Sequence, residues 1–434
     1  MPDAPFDHHS PLYADTWPDL TTRMREACPV TRTEAWGGYY AVTTYDEVRR
    51  VLGDDGTFSS RRQIPGVTEP GCPAGIVIPP SPEESVPIEY DPPENRPYRK
   101  LIDPFFSPKA SRAWGPFVQR VVTECIDGFI ASGRGDFILD IANPVPAILT
   151  CAMVGLPTED WRPYAEPLHA IVYEPPGTPD FERVVEQMQT MLAKVMGTVA
   201  ERRAEPRDDL ITWLTQAVVN GAPLDDDEIR SMLLLLLSGG VDTTTSLMGN
   251  AIHWLGRNPE KRDWLRADLS RIPQAREEFL RYFTPTQGLA RTTTVASDIA
   301  GCAHASGRSG VHVAFAAANR DPCRVLAGRR GTGPVSNRHV AFGLGVHRCI
   351  GSHIARIEFD IVLREVLTRC RTTSSTKRTP SWVRHDRHRQ RLGDHAHLVH
   401  ARPAVGRFDA GLQRWTTCRC TWTRAAARGT HCAR

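Results

Sequence analysis

Ten residues near the end of the chain, Phe342-Gly343-Leu344-Gly345-Val346-His347-Arg348-Cys349-Ile350-Gly351, set one cysteine in a glycine-rich loop just ahead of a helical pattern. A cysteine at a helix N-terminus lies among unpaired N–H groups and at the positive end of the helix dipole, which lowers its pKa and favours the thiolate. The thiolate is the form that ligates iron. Gly343, Gly345 and Gly351 let the backbone approach a flat macrocycle where a Cβ would collide, and His347 and Arg348 can meet acidic groups on its rim. Ile354, Ile357, Ile361, Val362 and Val366 then recur at helical spacing, so a buried helix is expected to carry the loop. A buried structural cysteine is the bland alternative.

The second constellation is Ser231 to Thr245, SMLLLLLSGGVDTTT, which continues to Trp254 as one long apolar helix behind the acidic start Asp225-Asp226-Asp227-Glu228. Gly239 and Gly240 stand side by side in its interior, where each glycine costs about 1 kcal/mol relative to alanine. Something else is therefore expected to fit there. Close helix packing through the glycines is the structural alternative, and the five leucines read as core.

The cysteine loop resembles that of the cytochrome P-450 haem-thiolate monooxygenases, whose pattern F-G-x-G-x-H-x-C-x-G is matched at every fixed position. The resemblance runs from about Ala35 to Arg369. It implies a mainly α fold with a small β region, the cytochrome P-450 fold, holding haem b through Cys349, with Phe342, Gly343, His347 and Gly351 in the cofactor loop. The glycine pair is similar to the family's G-G-x-D-T segment. There Thr243 would bond back to the Gly239 carbonyl and loosen the helix into a dioxygen groove, and Asp242 and Thr243 would deliver protons for O–O cleavage. Glu278-Phe279-Leu280-Arg281 resembles the family's E-x-x-R pair, implying a buried charge network in which Glu278 and Arg281 brace the haem pocket. Arg291 corresponds to the haem-propionate arginine. Arg99 is the better propionate partner in the segment Asp91 to Arg99, because Asn95 stands where many bacterial members have histidine.

By the same resemblance the reaction is insertion of one oxygen atom of O2 into a small to medium apolar organic substrate, most often as hydroxylation, in secondary metabolism. No flavin or nicotinamide segment is visible, which implies electrons from a ferredoxin or flavodoxin with its reductase. The chain has 434 residues, enough for a substantial core. Met1 to Pro18 is too polar for a signal peptide, and no N-terminal stretch approaches a membrane span. A cytoplasmic monomer, without membrane or nucleic-acid partners, is the expectation. Eleven scattered cysteines imply free thiols in a reducing compartment.

Charge is unevenly spread. Residues 371–434 carry 13 Arg and 1 Lys against 3 Asp, a net +11, which leaves −8 for residues 1–370 of a chain at +3 overall. This divides the chain into a monooxygenase domain over 1–370 and a basic, irregular tail over 371–434. Ten prolines between Ile64 and Pro97 make a stiff, irregular loop, which by the resemblance lies over the haem and lines the substrate cavity; Ile76, Val77 and Ile78 either face that cavity or only pin the loop down. His169 to Pro179 reads as the lid above the pocket. Residues 303–311 and 323–335 lack the family's acidic meander, and Pro334 occupies the place of the arginine that would complete the Glu278 network. These two segments and the tail read as frame-shifted sequence. Two further readings follow: a catalytically impaired haem-binding pseudoenzyme, and a nucleic-acid or membrane binder acting through the basic tail.

Overall fold

A computed structural model describes residues 6–10, 13–64, 75–78, 84–171, 174, 178–300, 302–304, 310–321, 337–370 and 419–421. Within them the helices in chain order are α1 (Tyr13–Ala27), α2 (Tyr45–Gly53), α3 (Asn95–Phe106), α4 (Pro108–Ala113), α5 (Gly115–Ile130), α6 (Pro144–Val154), α7 (Arg162–Ile171), α8 (Pro179–Ala204), α9 (Leu210–Thr215), α10 (Asp226–Arg257), α11 (Pro259–Ala267), α12 (Ile272–Phe283), α13 (Phe315–Asn319) and α14 (Ser352–Arg369). The main sheet is small. It is built from β1 (Val30–Thr33), β2 (Tyr39–Val42), β3 (Phe58–Ser59), β4 (Leu289–Thr293) and β5 (Gly310–Val313), in the order β1-β2-β5-β4-β3. Only β5 and β2 run parallel. The expected fold class, mainly α with a small β region, is the one observed.

The sequence dictates α10 from its first residue. Asp225 and Glu228 form a complete capping box, Asp225 accepting from the Glu228 N–H and Glu228 accepting from the Asp225 N–H, which satisfies two orphan donors at the start. Three acidic residues in the first turn complement the dipole. Leu233 and Leu237 are fully buried, whereas Leu234, Leu235 and Leu236 are only partly so. By length and composition α10 is apolar enough to cross a bilayer, but 67% of its most apolar window is buried inside the fold. It is the axis of the molecule: one apolar cluster joins it to α5, α6, α12 and α14, and a second joins it to α3, α7, α8 and α9.

The sheet fixes the other side. Pairing of β4 with β5 sets Arg291 opposite Val311, and Ala290 N–H donates to the Ile76 carbonyl, which ties the proline-rich segment to the same strand. Glu89, fully buried, accepts from Arg62 and from the N–H groups of Ile76 and Ser85. The helix α12 stops at Phe283, where Thr284 takes a left-handed conformation ahead of Pro285. Of the segments that read as frame-shifted, residues 323–335 lie outside the described residues, as do 305–309 and all of 371–434 except 419–421. Residues 419–421 pair antiparallel with Arg134–Asp136. The lid stretch is described at 169–171, 174 and 178–179.

Candidate active site

Cys349 stands three residues ahead of α14, after a 3-10 turn at Gly345–His347. The loop closes on itself: Cys349 N–H donates to the Phe342 carbonyl at 2.9 Å, and Gly343 N–H to the Val340 carbonyl at 2.9 Å. Phe342 is half-buried against the main core, with the Arg356 guanidinium 4.5 Å from its ring centroid. The glycines divide the work differently from the sequence expectation. Gly343, at φ +64°, would direct a Cβ into open space, but Gly345, at φ +67°, would drive one into the Leu52 carbonyl oxygen. Gly345 thus serves packing on α2 and not approach to a macrocycle. At Gly351 a Cβ would make ordinary contacts 3.8 Å from Ile354 and 3.9 Å from the Cys349 sulfur.

The thiol itself departs from the helix-terminus argument. Burial pushes its pKa up, and the Gly351 N–H, Arg99, Arg348 and Arg356 pull the other way without reversing the shift. Without a metal, desolvation beats the dipole. Yet Cys349 is exposed by surface area. A thiol closely surrounded by protein yet accessible at its surface is placed to meet a bound group. Gly239 has the same character, exposed between buried Leu237 and Val241 in the middle of α10. A Cβ there would meet nothing within 4 Å, while one on Gly240 would reach Thr150 Oγ1 at 2.6 Å. One glycine therefore leaves room and its neighbour packs α10 against α6.

Thr243 Oγ1 donates to the Gly239 carbonyl at 2.9 Å, yet α10 stays α-helical through this turn, so the expected loosening into a groove does not occur. Asp242 is buried, and its Oδ1 accepts from His169 Nδ1 at 2.8 Å. Nothing in the sequence singled out His169 as a partner of Asp242.

Arg291 and Arg99 lie within electrostatic reach of His347, two residues before the cysteine. Arg291 is 4% exposed, and burial lowers its pKa to about 10. Arg99 donates from Nη2 to the Arg348 carbonyl at 3.1 Å. His347 is lowered to about 3, first by burial and then by Arg291 and Arg99, and its buried Nε2 has no partner among the described residues. Two guanidinium groups facing an orphaned imidazole nitrogen are a cradle for carboxylates. Haem b carries two carboxylates and an iron that a cysteine sulfur can ligate, so an accessible Cys349 beside basic side chains fits that group.

The charge pair was partly legible. Arg281 grips Glu278 with two bonds, of 2.8 and 2.6 Å, and Asn337 Nδ2 adds a third at 3.2 Å, but the Glu278 side chain is 55% exposed. The pair is a surface clamp and not a buried network, an i,i+3 ion pair on α12 whose Arg281 also donates from Nη1 to the Asn319 carbonyl. The denser network lies one residue earlier. Glu277 accepts from Arg356 at 2.8 and 2.9 Å, from His339 at 3.0 Å and from Arg276 at 2.7 Å, and Arg276 also pairs with Asp360. It joins α12 and α14 to His339, which leads into the cysteine loop. Only its place one residue before a recognised motif could have signalled it.

The sequence model of the family described as Cytochrome P-450 matches residues 169–301 and 321–386. The match continues past Arg369, where the likeness had been expected to end, and covers 323–335, while 302–320 is unmatched. The erythromycin C-12 hydroxylase of Saccharopolyspora erythraea is 32% identical over 361 residues, 81% of this chain and 86% of that one. A solved mutant of P-450 EryK in complex with erythromycin B is similar with a TM-score of 0.71 at 31% identity, over 84% of this chain and 90% of that one. CYP109E1 from Bacillus megaterium, solved with testosterone, gives a TM-score of 0.72 at 26% identity, over 86% and 94%.

Proposed function

The chain belongs to the cytochrome P-450 family and is a haem-thiolate monooxygenase that binds haem b, and from that premise we propose that Cys349 is the axial ligand and that Arg99, Arg291 and His347 hold the propionates. The orphaned His347 Nε2 between two arginines, beside an accessible but desolvated sulfur, carries this reading. Phe342, Gly343 and Gly351 shape the loop beneath the ring. Glu278 and Arg281, with the Glu277 network, fix α12 against the loop.

Haem, when bound, supplies an iron that binds dioxygen and takes electrons one at a time. Asp242 and Thr243 bring the protons. The Thr243 hydroxyl hydrogen is held by the Gly239 carbonyl, so its oxygen lone pairs remain able to accept a bond from a proton donor. Asp242, one residue earlier, is the carboxylate that passes a proton toward that hydroxyl. The substrate is a small to medium apolar molecule, hydroxylated in secondary metabolism. This is supported by the partly exposed stripe Leu235, Gly239 and Thr243 on an otherwise buried helix, and by relatives whose names and titles specify erythromycin and testosterone. Electrons come from a ferredoxin or flavodoxin with its reductase. The protein works as a cytoplasmic monomer through a monooxygenase domain that runs past residue 370, a reading supported by the family match to residue 386, with the remainder of the basic tail as an appendage. The similarity to a named hydroxylase does not favour a pseudoenzyme.

The test is a Soret titration of the haem-loaded protein with testosterone, erythromycin B, farnesol and palmitic acid, followed by turnover of any binder with a surrogate ferredoxin pair. A shift to high spin and a product heavier by one oxygen support the reading. Binding with no oxygenated product would defeat it.

A further inference from the structure

We propose that His169 is a positioning residue for proton delivery: it holds the Asp242 carboxylate, so that the relay depends on how α7 is seated on α10. His169 is 9% exposed and Asp242 7%. A carboxylate can only accept, so the 2.8 Å contact places a hydrogen on His169 Nδ1. The bond crosses two helices and 73 residues of sequence, and a buried charge-assisted bond of this kind is among the stronger orienting contacts a side chain can make. It leaves Nε2 buried with no partner among the described residues, so among them Asp242 is the group that turns the ring. The charged neighbours on α7 are Glu166, three residues earlier, and Arg162, whose guanidinium lies 3.9 Å from that carboxylate. The imidazole thus links its own helix to the carboxylate on the relay helix. A relay carboxylate tethered to a different helix is oriented only while that helix is docked.

The inference rests on the reading of Asp242 as proton carrier. It is tested in the haem-loaded protein with His169→Leu, His169→Asn, whose amide nitrogen can replace Nδ1, and Asp242→Asn. The first readout is amide hydrogen exchange over residues 162–171, without substrate or reductant. The second is the fraction of electrons lost as hydrogen peroxide during turnover of whichever of the four probes binds most tightly. His169→Leu is expected to speed exchange about tenfold and to raise peroxide several-fold at an unchanged probe Kd, and His169→Asn to restore both. If His169→Leu fails to load haem, His169→Gln, which sets its amide one bond too far out, takes its place with the same expectation. Asp242→Asn without effect on peroxide would overturn the relay reading and this inference with it. An effect of Asp242→Asn with none from His169→Leu, or exchange and peroxide moving independently, would overturn this inference alone.

Discussion

At the scale of single residues the account turns on a few side chains with unfinished chemistry. His347 Nε2 is buried without a partner, next to Arg99 and Arg291. Removing one charge-assisted donor costs about 1.5–3 kcal/mol. His347→Ala and Arg291→Ala are therefore expected to lose haem to excess apomyoglobin at least tenfold faster than the parent. Unchanged transfer rates would remove both from the cradle. Thr243→Ala leaves no hydroxyl on the Gly239 carbonyl and is expected to divert most electrons to hydrogen peroxide while probe affinity stays within about twofold. These residues were legible because their types are rare at their spacing: a cysteine bracketed by glycines, a Gly-Gly pair in a leucine run. The thiol's environment was not, since the strength of desolvation depends on what packs over it and no local pattern reports that. His169 was hidden for the same reason, its partner being 73 residues away.

Among the elements, α10 and α14 could be drawn from the sequence because periodic apolar residues and an acidic first turn carry the information locally. What each glycine does could not, because a missing Cβ has meaning only against the neighbour it would strike. Gly239 faces nothing and Gly345 faces the Leu52 carbonyl at positive φ. Gly239→Ala is expected to fold with stability unchanged or raised by up to about 1 kcal/mol. Gly345→Ala is expected to lose about 1–3 kcal/mol from strain alone, read as a lower urea midpoint. Equal midpoints for the two would contradict the packing assigned here. The Glu277 network adds a pH signature. Burial alone would raise its carboxyl, but hydrogen bonds from His339, Arg356 and Arg276 outweigh that and hold it well below the usual carboxylate range. A depressed folded pKa stabilises the fold above the unfolded value of about 4.3 and loses that contribution as pH falls below it. Glu277→Gln is expected to lower the urea midpoint at pH 7 and to flatten its decline between about pH 5 and 3, so that parent and variant converge in acid. A constant gap across that range would exclude the assignment.

For the whole molecule, a motif held in register by two long helices reported the family, and the family carried the mainly α class and the small sheet with it. Long-range order was less legible. The likeness had been expected to stop at Arg369, yet the family match reaches residue 386, and Cys370 is buried, with its carbonyl bonded by Arg266. Composition changes abruptly near 370 because arginine accumulates, but composition does not say where packing ends. A chain ending at 386 is expected to match the full-length protein in haem content, and one ending at 369 to load markedly less. Equal loading by both would place the boundary where the charge changes. The most direct test of the central claim, that Cys349 gives its thiolate to haem iron, is the reduced, carbon monoxide-bound difference spectrum of the full-length chain beside Cys349→Ala. A strongly red-shifted Soret band in the parent, absent from the variant, is the expected result; a band at the position of neutral axial ligation in the parent, or the same red-shifted band in both, would contradict it.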